Sequence, residues 1–386
     1  MIGARPVVRS AVSLLLFVLA GSQQEALALP TMIRLGYSGC TACHISPQGG
    51  GLLNLYGRGI DRAQSLRGGE YVPATDDLTR VLTLGGQTTQ DFRIVIQEQA
   101  SRTAGSSAQT RFWPRAMYRN VTDIGNGFRA SAIITAAAER GLRPALSYDP
   151  RPESSPLFVN TALLHYRVGQ TVELAAGRDQ LPSGINVPDL GLWTKSRSRN
   201  GYYDAPTQLK MVWTGSHARA SPFVYGPGGN EGAGERESGA GTTAEIASDR
   251  RRAVVGMSWL SAAAENGIRR IVGGYVRLGF GRWGILAEHD VTERTRVALP
   301  AQSFTQDASY GQVFCAIREW LVTSASGERL HVNSPFEEKL LAGKLELAAR
   351  LASQASVGVS MRLQRDQISG HTSVSAVLQA AFKTVQ

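Results

Sequence analysis

The chain has 386 residues, a formal net charge of +10, 42% hydrophobic residues, 42 glycines and three cysteines. After the N-terminus no run approaches the ~18 consecutive apolar residues of a membrane-spanning helix, so none is expected. Three cysteines make no disulfide framework. The basic residues form no tract beyond Arg250-Arg251-Arg252, so the charge reads as a solvated or lumen-facing surface, not a nucleic-acid site.

Residues 1–28 read as a secretory signal. Arg5 and Arg9 form a basic start, Ala11 to Ala20 is a short apolar stretch, and Ala26-Leu27-Ala28 is an A-x-A cleavage site. The mature chain then begins at Leu29, outside the cytoplasm.

Cys40-Thr41-Ala42-Cys43-His44 is a C-x-x-C-H motif, which reads as attachment of one covalent haem c. Two thiols three residues apart reach the two vinyl groups on one porphyrin edge, and the following imidazole lies under the iron as an axial ligand. A zinc site would need further ligands nearby, and the next histidine is His165. A redox dithiol would need a βαβ setting, which the pattern lacks. The candidate site is therefore Cys40, Cys43 and His44, with His44 on the metal. Met32, Met117, His165, Met211, His217 and His289 are open candidates for a sixth ligand, as is a five-coordinate iron.

Ile33-Arg34-Leu35-Gly36-Tyr37-Ser38-Gly39 precedes the motif, and Pro47 and Leu53-Asn54-Leu55-Tyr56-Gly57-Arg58 follow it. These flanks resemble the N-terminal segment of fused monohaem cytochrome-porins, outer-membrane electron-transfer proteins that include bacterial Fe(II) oxidases. The match covers about 30 residues; Gly49-Gly50-Gly51 is a departure from a compact cytochrome loop. The resemblance implies a short haem segment plugging a β-barrel, an outer-membrane location and Fe(II) as a candidate donor.

Residues 29–78 hold too few large apolar groups to enclose a porphyrin alone, so the remainder, residues 79–386, must cover it. There period-2 alternation dominates. Val357, Val359, Met361 and Leu363 alternate with Gly358, Ser360, Arg362 and Gln364, and Leu209, Met211 and Trp213 with Gln208, Lys210 and Val212. One apolar and one polar face on strands of 9–13 residues predicts an all-β, antiparallel transmembrane barrel. About fourteen strands are expected, within 12–16. Ala100–Ala108, Gly141–Pro156, Asp179–Ala205 and Gly226–Arg250 read as long outer connections, and Gly125-Asn126-Gly127 and Gly169-Gln170 as short turns. The glycine-rich stretch Gly226–Gly241 reads as a flexible outer loop. Gly177–Tyr203, with Lys195, Arg197 and Arg199, either folds into the lumen or faces solvent. Recurrent aromatics, among them Phe112, Tyr118, Trp213, Tyr225, Trp259, Trp283 and Tyr310, are candidates for interfacial girdles. Cys315 reads as an inert thiol.

The expected function is electron transfer across the outer membrane, between an extracellular donor or acceptor and periplasmic cytochromes or other redox carriers. The alternatives are a periplasmic, peroxidase-like haem enzyme and a porin with a structural haem. No G-x-S-x-G, H-E-x-x-H or phosphate loop supports hydrolase or nucleotide chemistry.

Overall fold

The computed structural model describes residues 30–38, 42–44, 53–66, 88–137, 157–187, 191–201, 204–227, 236–248, 250, 252–296, 302–333, 335–352 and 354–383. The signal-peptide reading of residues 1–28 and the candidate thiol Cys40 lie outside these residues.

Sixteen antiparallel strands close into one barrel. The first half comprises β1 (Thr88–Thr103), β2 (Gln109–Gly125), β3 (Phe128–Ala137), β4 (Leu157–Val168), β5 (Val172–Arg178), β6 (Thr207–Thr214), β7 (Ala218–Gly226) and β8 (Glu237–Ala247). The second comprises β9 (Ala253–Ala264), β10 (Gly267–Phe280), β11 (Trp283–Arg296), β12 (Gln302–Arg318), β13 (Leu321–Val332), β14 (Glu338–Ala352), β15 (Ala355–Asp366) and β16 (Thr372–Lys383). Each strand pairs with its sequence neighbours, and β1 closes on β16 from Arg93↔Lys383 to Thr103↔Ser373. Closure removes every free edge, which satisfies the backbone where no water can.

The two-residue period divides the wall. Met257, Trp259, Leu345, Met361 and Leu363 face outward and are exposed, while Ser258, Arg269, Glu288, Gln306 and Glu328 face inward and are buried. An apolar exterior and polar interior are the pattern of a barrel solvated by lipid. Phe112, Tyr118, Trp213, Trp259 and Trp283 lie on the outer face. Tyr225 and Tyr310, grouped with them by sequence, instead point inward and are buried.

The barrel has two unlike ends. The end holding Thr88 and Lys383, called here the terminal end, carries the short turns. At the first of these Gly125, Asn126 and Gly127 all have positive φ, which the residue types tolerate. The far end carries the longer connections through β8, then tightens to two residues between β9 and β10.

The count of sixteen corrects the expected fourteen, because two strands lack the hydropathy signature. β8 lies partly in the stretch read as a flexible outer loop. Its outer face is Ser238, Ala240, Thr242, Ala244 and Ile246, and its inner face is Glu237, Gly239, Gly241, Thr243 and Glu245. Small residues on both faces hide the alternation. Gly239 and Gly241 are required there, since a Cβ would collide with Ser261 and Ala262 or with Trp259 and Phe223. β13 has its polarity reversed. Leu330 and Val332 point inward and Arg329 and His331 outward.

Candidate functional site

The N-terminal segment enters the mouth of the barrel at the terminal end. A 3-10 turn, Pro30–Leu35, buries Ile33 to 1% exposure in a cluster with Val254, Tyr275, Leu286 and Phe314. Arg34 pairs with Glu319 at 2.5 Å. Gly279 on β10 makes this approach possible, because a Cβ there would strike the backbone of Ile33 and Arg34. Helix α1 (Leu55–Ala63) docks across the mouth. Its Asp61 accepts from Lys383 at 2.9 Å and lies 3.4 Å from Arg350. Gln64 ties the two pieces together: its amide oxygen accepts from Arg350 at 3.2 Å and its amide nitrogen donates to the Met32 sulfur at 3.7 Å.

Cys43 and His44 lie between these two anchors. Asn54 organises them. Its backbone N–H donates to Cys43 O at 2.9 Å, and its side-chain amide donates to Ala42 O at 3.0 Å. Its side-chain oxygen accepts from Gly57 N at 2.7 Å, which caps α1. Gly57 packs against Cys43, and a Cβ would collide with the Cys43 carbonyl. The Leu53-Asn54-x-Tyr56-Gly57 sequence therefore has a local reason: it clamps the motif onto the helix. His44 bridges antiparallel to Leu53 and is 9% exposed. Tyr56 and Tyr37 share a hydroxyl hydrogen bond, which together with some burial pushes Tyr37 up to about 12. Burial in the mouth lowers Arg58, against an upward pull from Asp91.

These residues fit a c-type haem as far as they are described. Cys43 is in no disulfide and is partly exposed, and an imidazole follows it at once. Among the described residues no group of three or more His, Cys, Asp or Glu could hold a metal ion. Of the sixth-ligand candidates, Met32 lies in the mouth segment itself. His165 is bonded to Ser131 and Glu173 in the wall, both at 2.8 Å. Met117 packs with Val95 and Ala381. Met211 and His289 face outward, His289 bonded to Ser309 at 2.8 Å.

A second element fills the lumen. The β5–β6 connection, one of whose two expected positions was outward, folds inside. Its short helix α2 (Trp193–Ser196) is buried along its whole length. Trp193 enters a cluster with Phe304, Leu330, Val332 and Leu340, which explains the inward apolar residues of β13. The Trp193 N–H donates to Glu328 at 2.8 Å, and Arg362 lies 5.1 Å over its ring. Lys195 donates to Glu288 and to Ser183 O, both at 2.6 Å. Ile185 N donates to Glu288 at 3.0 Å and Gly184 N to Ser258 at 2.8 Å. Arg197 pairs with Glu338 at 3.0 Å. Two residues along β11 on the same face, Asp290 is 1% exposed, and neither carboxylate oxygen has a hydrogen-bond partner among the described residues.

Known structures share this architecture. The chain matches a loop-deletion mutant of OmpT, an outer membrane protein of Vibrio cholerae, at 10% identity and a TM-score of 0.59, covering 77% of this chain and all of that one. It matches an anion-selective porin from Comamonas acidovorans at 10% identity and a TM-score of 0.57, over 77% of this chain and 100% of that one. The DcaP channel of Acinetobacter baumannii gives 8% identity, a TM-score of 0.56, and coverage of 78% and 98%. The fold is that of the porins. No family model and no curated protein matches the sequence.

Within this porin fold, the inward loop and the β7, β8 and β10 walls line a partly open cleft with a cavity of about 50 Å³, bordered among others by Gln180, Asn186, Arg219, Thr243, Glu245 and Arg277. The sequence carried a signal for part of the lumen site that motif reading missed. Glu288 and Asp290 are spaced i, i+2 on a strand, so both charges share one face, and that face is the interior.

Proposed function

We propose that the protein is an outer-membrane electron-transfer barrel carrying one haem c on Cys40, Cys43 and His44, moving electrons between an extracellular donor or acceptor and periplasmic carriers. The observation that carries this reading is the clamping of Cys43 and His44 by Asn54 and Gly57 onto a segment anchored inside the barrel mouth. A soluble cytochrome has no use for ion pairs from Asp61 and Arg34 to a barrel rim. The apolar exterior and the porin fold support insertion in the outer membrane, with the terminal end on the periplasmic side.

When bound, the haem supplies one-electron chemistry, and an axial imidazole sets part of its potential. The chain's own contributions are positional. Asn54 and Gly57 fix the Cys43–His44 backbone, Asp61 and Arg34 hold the segment in the mouth, and the inward loop narrows the lumen. Fe(II) as donor rests on the family resemblance alone. A passive porin is the second reading, favoured by the fold likeness itself.

Proteoliposomes separate the two. With a reductant-loaded interior and a membrane-impermeant ferric chelate outside, the wild-type protein should pass electrons. A Cys40→Ser, Cys43→Ser variant should insert equally and pass none. Equal electron transfer by both proteins would overturn the haem-centred reading.

A further inference from the structure

Three neighbouring turns at the terminal end concentrate exposed arginine. Arg250 and Arg252 stand between β8 and β9, Arg282 between β10 and β11, and Arg318 at the foot of β12. Backbone bonds join them into one arc. Gly279 N donates to Arg252 O and Ala316 N to Arg282 O, each at 2.8 Å, and the Arg282 side chain reaches Ile317 O at 3.5 Å. Acid is scarce along the arc. Among its described residues Glu319 is the one carboxylate, and Arg34 already pairs with it. Asp249 and Arg251, which lie outside the described residues, offset each other in formal charge. The other terminal-end turns are nearly neutral: Asp123 next to Arg129, then Gly169-Gln170-Thr171, Gly215-Ser216-His217 and Gln354.

The arc borders an apolar spot. Leu35, Tyr56 and Leu66 of the mouth segment are 40%, 52% and 51% exposed, although the segment is otherwise anchored. Gly36 brings that segment against the arc, since a Cβ on it would sit 3.5 Å from Arg250 O. Tyr37, the next residue, shares its hydroxyl bond with Tyr56 on the helix that clamps Cys43.

From this placement we propose that the terminal-end face docks a soluble electron carrier with an acidic surface, seated on Leu35 and Tyr56 and ringed by Arg250, Arg252, Arg282 and Arg318. The carrier's identity as a redox protein rests on the haem reading above. An apolar centre within a rim of one charge suits a transient encounter: the rim steers the partner and the centre supplies a small contact that releases quickly. Arginine suits the rim, because its planar fork matches carboxylates. Lipid headgroups are the competing use. They lie outside the circle of strands, whereas the apolar spot lies inside it, on the mouth segment.

The test uses the full-length protein in phosphatidylcholine nanodiscs, with plastocyanin as an acidic probe and mitochondrial cytochrome c as a basic one. Plastocyanin should bind, weakening roughly tenfold between about 20 and 200 mM salt as screening shortens, and cytochrome c should not. An Arg250→Glu, Arg282→Glu, Arg318→Glu variant should lose plastocyanin at least tenfold while keeping heat-modifiable migration. Equal binding by wild type and variant overturns the docking surface. So does a variant that keeps plastocyanin and, in parallel nanodiscs containing phosphatidylglycerol, loses only the enrichment of that lipid, which would assign the arginines to headgroups. Haem absorbance on the same samples is a separate readout: charge-dependent binding by a chain without haem overturns the electron-carrier identity and the proposed function, not the charged surface.

Discussion

Replacing Lys195 with Met should release the inward loop. Among the described residues, Lys195 is the one ammonium bonded to Glu288, whose side chain is fully buried. Asp290 lies beside it with no hydrogen-bond partner among the described residues. The wild-type cluster thus holds two buried carboxylates against a single bonded lysine. Removing that charge leaves the carboxylates facing each other, and breaking a buried pair by deleting one partner costs about 3–5 kcal/mol. The barrel wall is a closed ladder and will not yield. The loop can, because the lumen offers it water. The open-loop population should rise on the order of 10²–10⁴-fold, the same energy expressed as an equilibrium. Arg197 and Arg199, buried or partly buried in the closed loop, then become trypsin sites. Limited trypsinolysis of folded barrels should cut the variant within 193–201 and spare the wild type. A Lys195→Met, Glu288→Gln double variant should regain most of the protection. If the single variant resists trypsin as the wild type does, the cluster is not what holds the loop, and the argument from buried charge is wrong.

The other predictions test the same geometry at separate points. Asp290→Asn offers an amide to Glu288 in place of a carboxyl, so loop protection against trypsin should rise slightly; a fall would mean that Asp290 is needed as a carboxyl. Asp61→Asn cuts the tether to Lys383 and Arg350, and hydrogen exchange across 55–63 should accelerate on the order of 10²-fold or more, at about 3–5 kcal/mol for a broken buried pair. Unchanged exchange would show that Ile33 and Arg34 suffice to hold the segment. On the proposed haem attachment, His44→Ala should keep the thioether-linked haem in part and change its absorption spectrum; an unchanged spectrum removes His44 as a ligand. Tyr56→Phe should bring Tyr37 down from about 12 toward the ordinary value of about 10. The raised value means that the folded state holds its proton more tightly, so the Tyr37–Tyr56 contact weakens as pH rises through that window. Site-specific NMR titration of Tyr37 reads the shift directly.

The barrel was legible where lipid-facing residues are large. β15 and β16 follow the alternation from Val357 to Leu363 and from Val374 to Phe382; the inner face of β15 is the polar set that the pattern predicts, and that of β16 is polar apart from Val377 and Ala381, which packs with Val95 and Met117. β8 was not legible, because Ser238, Ala240 and Thr242 face outward where Val or Leu would give a signal. β13 was hidden for the opposite reason: Leu330 and Val332 serve the inward loop, so its apolar face is the lumen face. Tyr225 and Tyr310 were grouped with outward aromatics by position along the strand, and side-chain parity reverses both. The destination of the β5–β6 loop depends on partners about 90 to 140 residues away, Glu288, Glu328 and Glu338, which no local pattern announces. Cys43 and His44 were singled out from five consecutive residues, and the structure places both between the two anchors of the mouth segment, under Asn54. The role of Asn54 and Gly57 was visible only as a family pattern until the backbone contact to Cys43 gave it a cause.

The most direct measurement is a haem-stained denaturing gel of separated outer-membrane and periplasmic fractions, run with and without boiling. The account predicts a haem-positive band in the outer membrane whose mobility shifts on boiling, because one chain holds both a covalent haem and a heat-modifiable barrel. A shifting outer-membrane band without haem, or a haem-positive band confined to the periplasm, would contradict it.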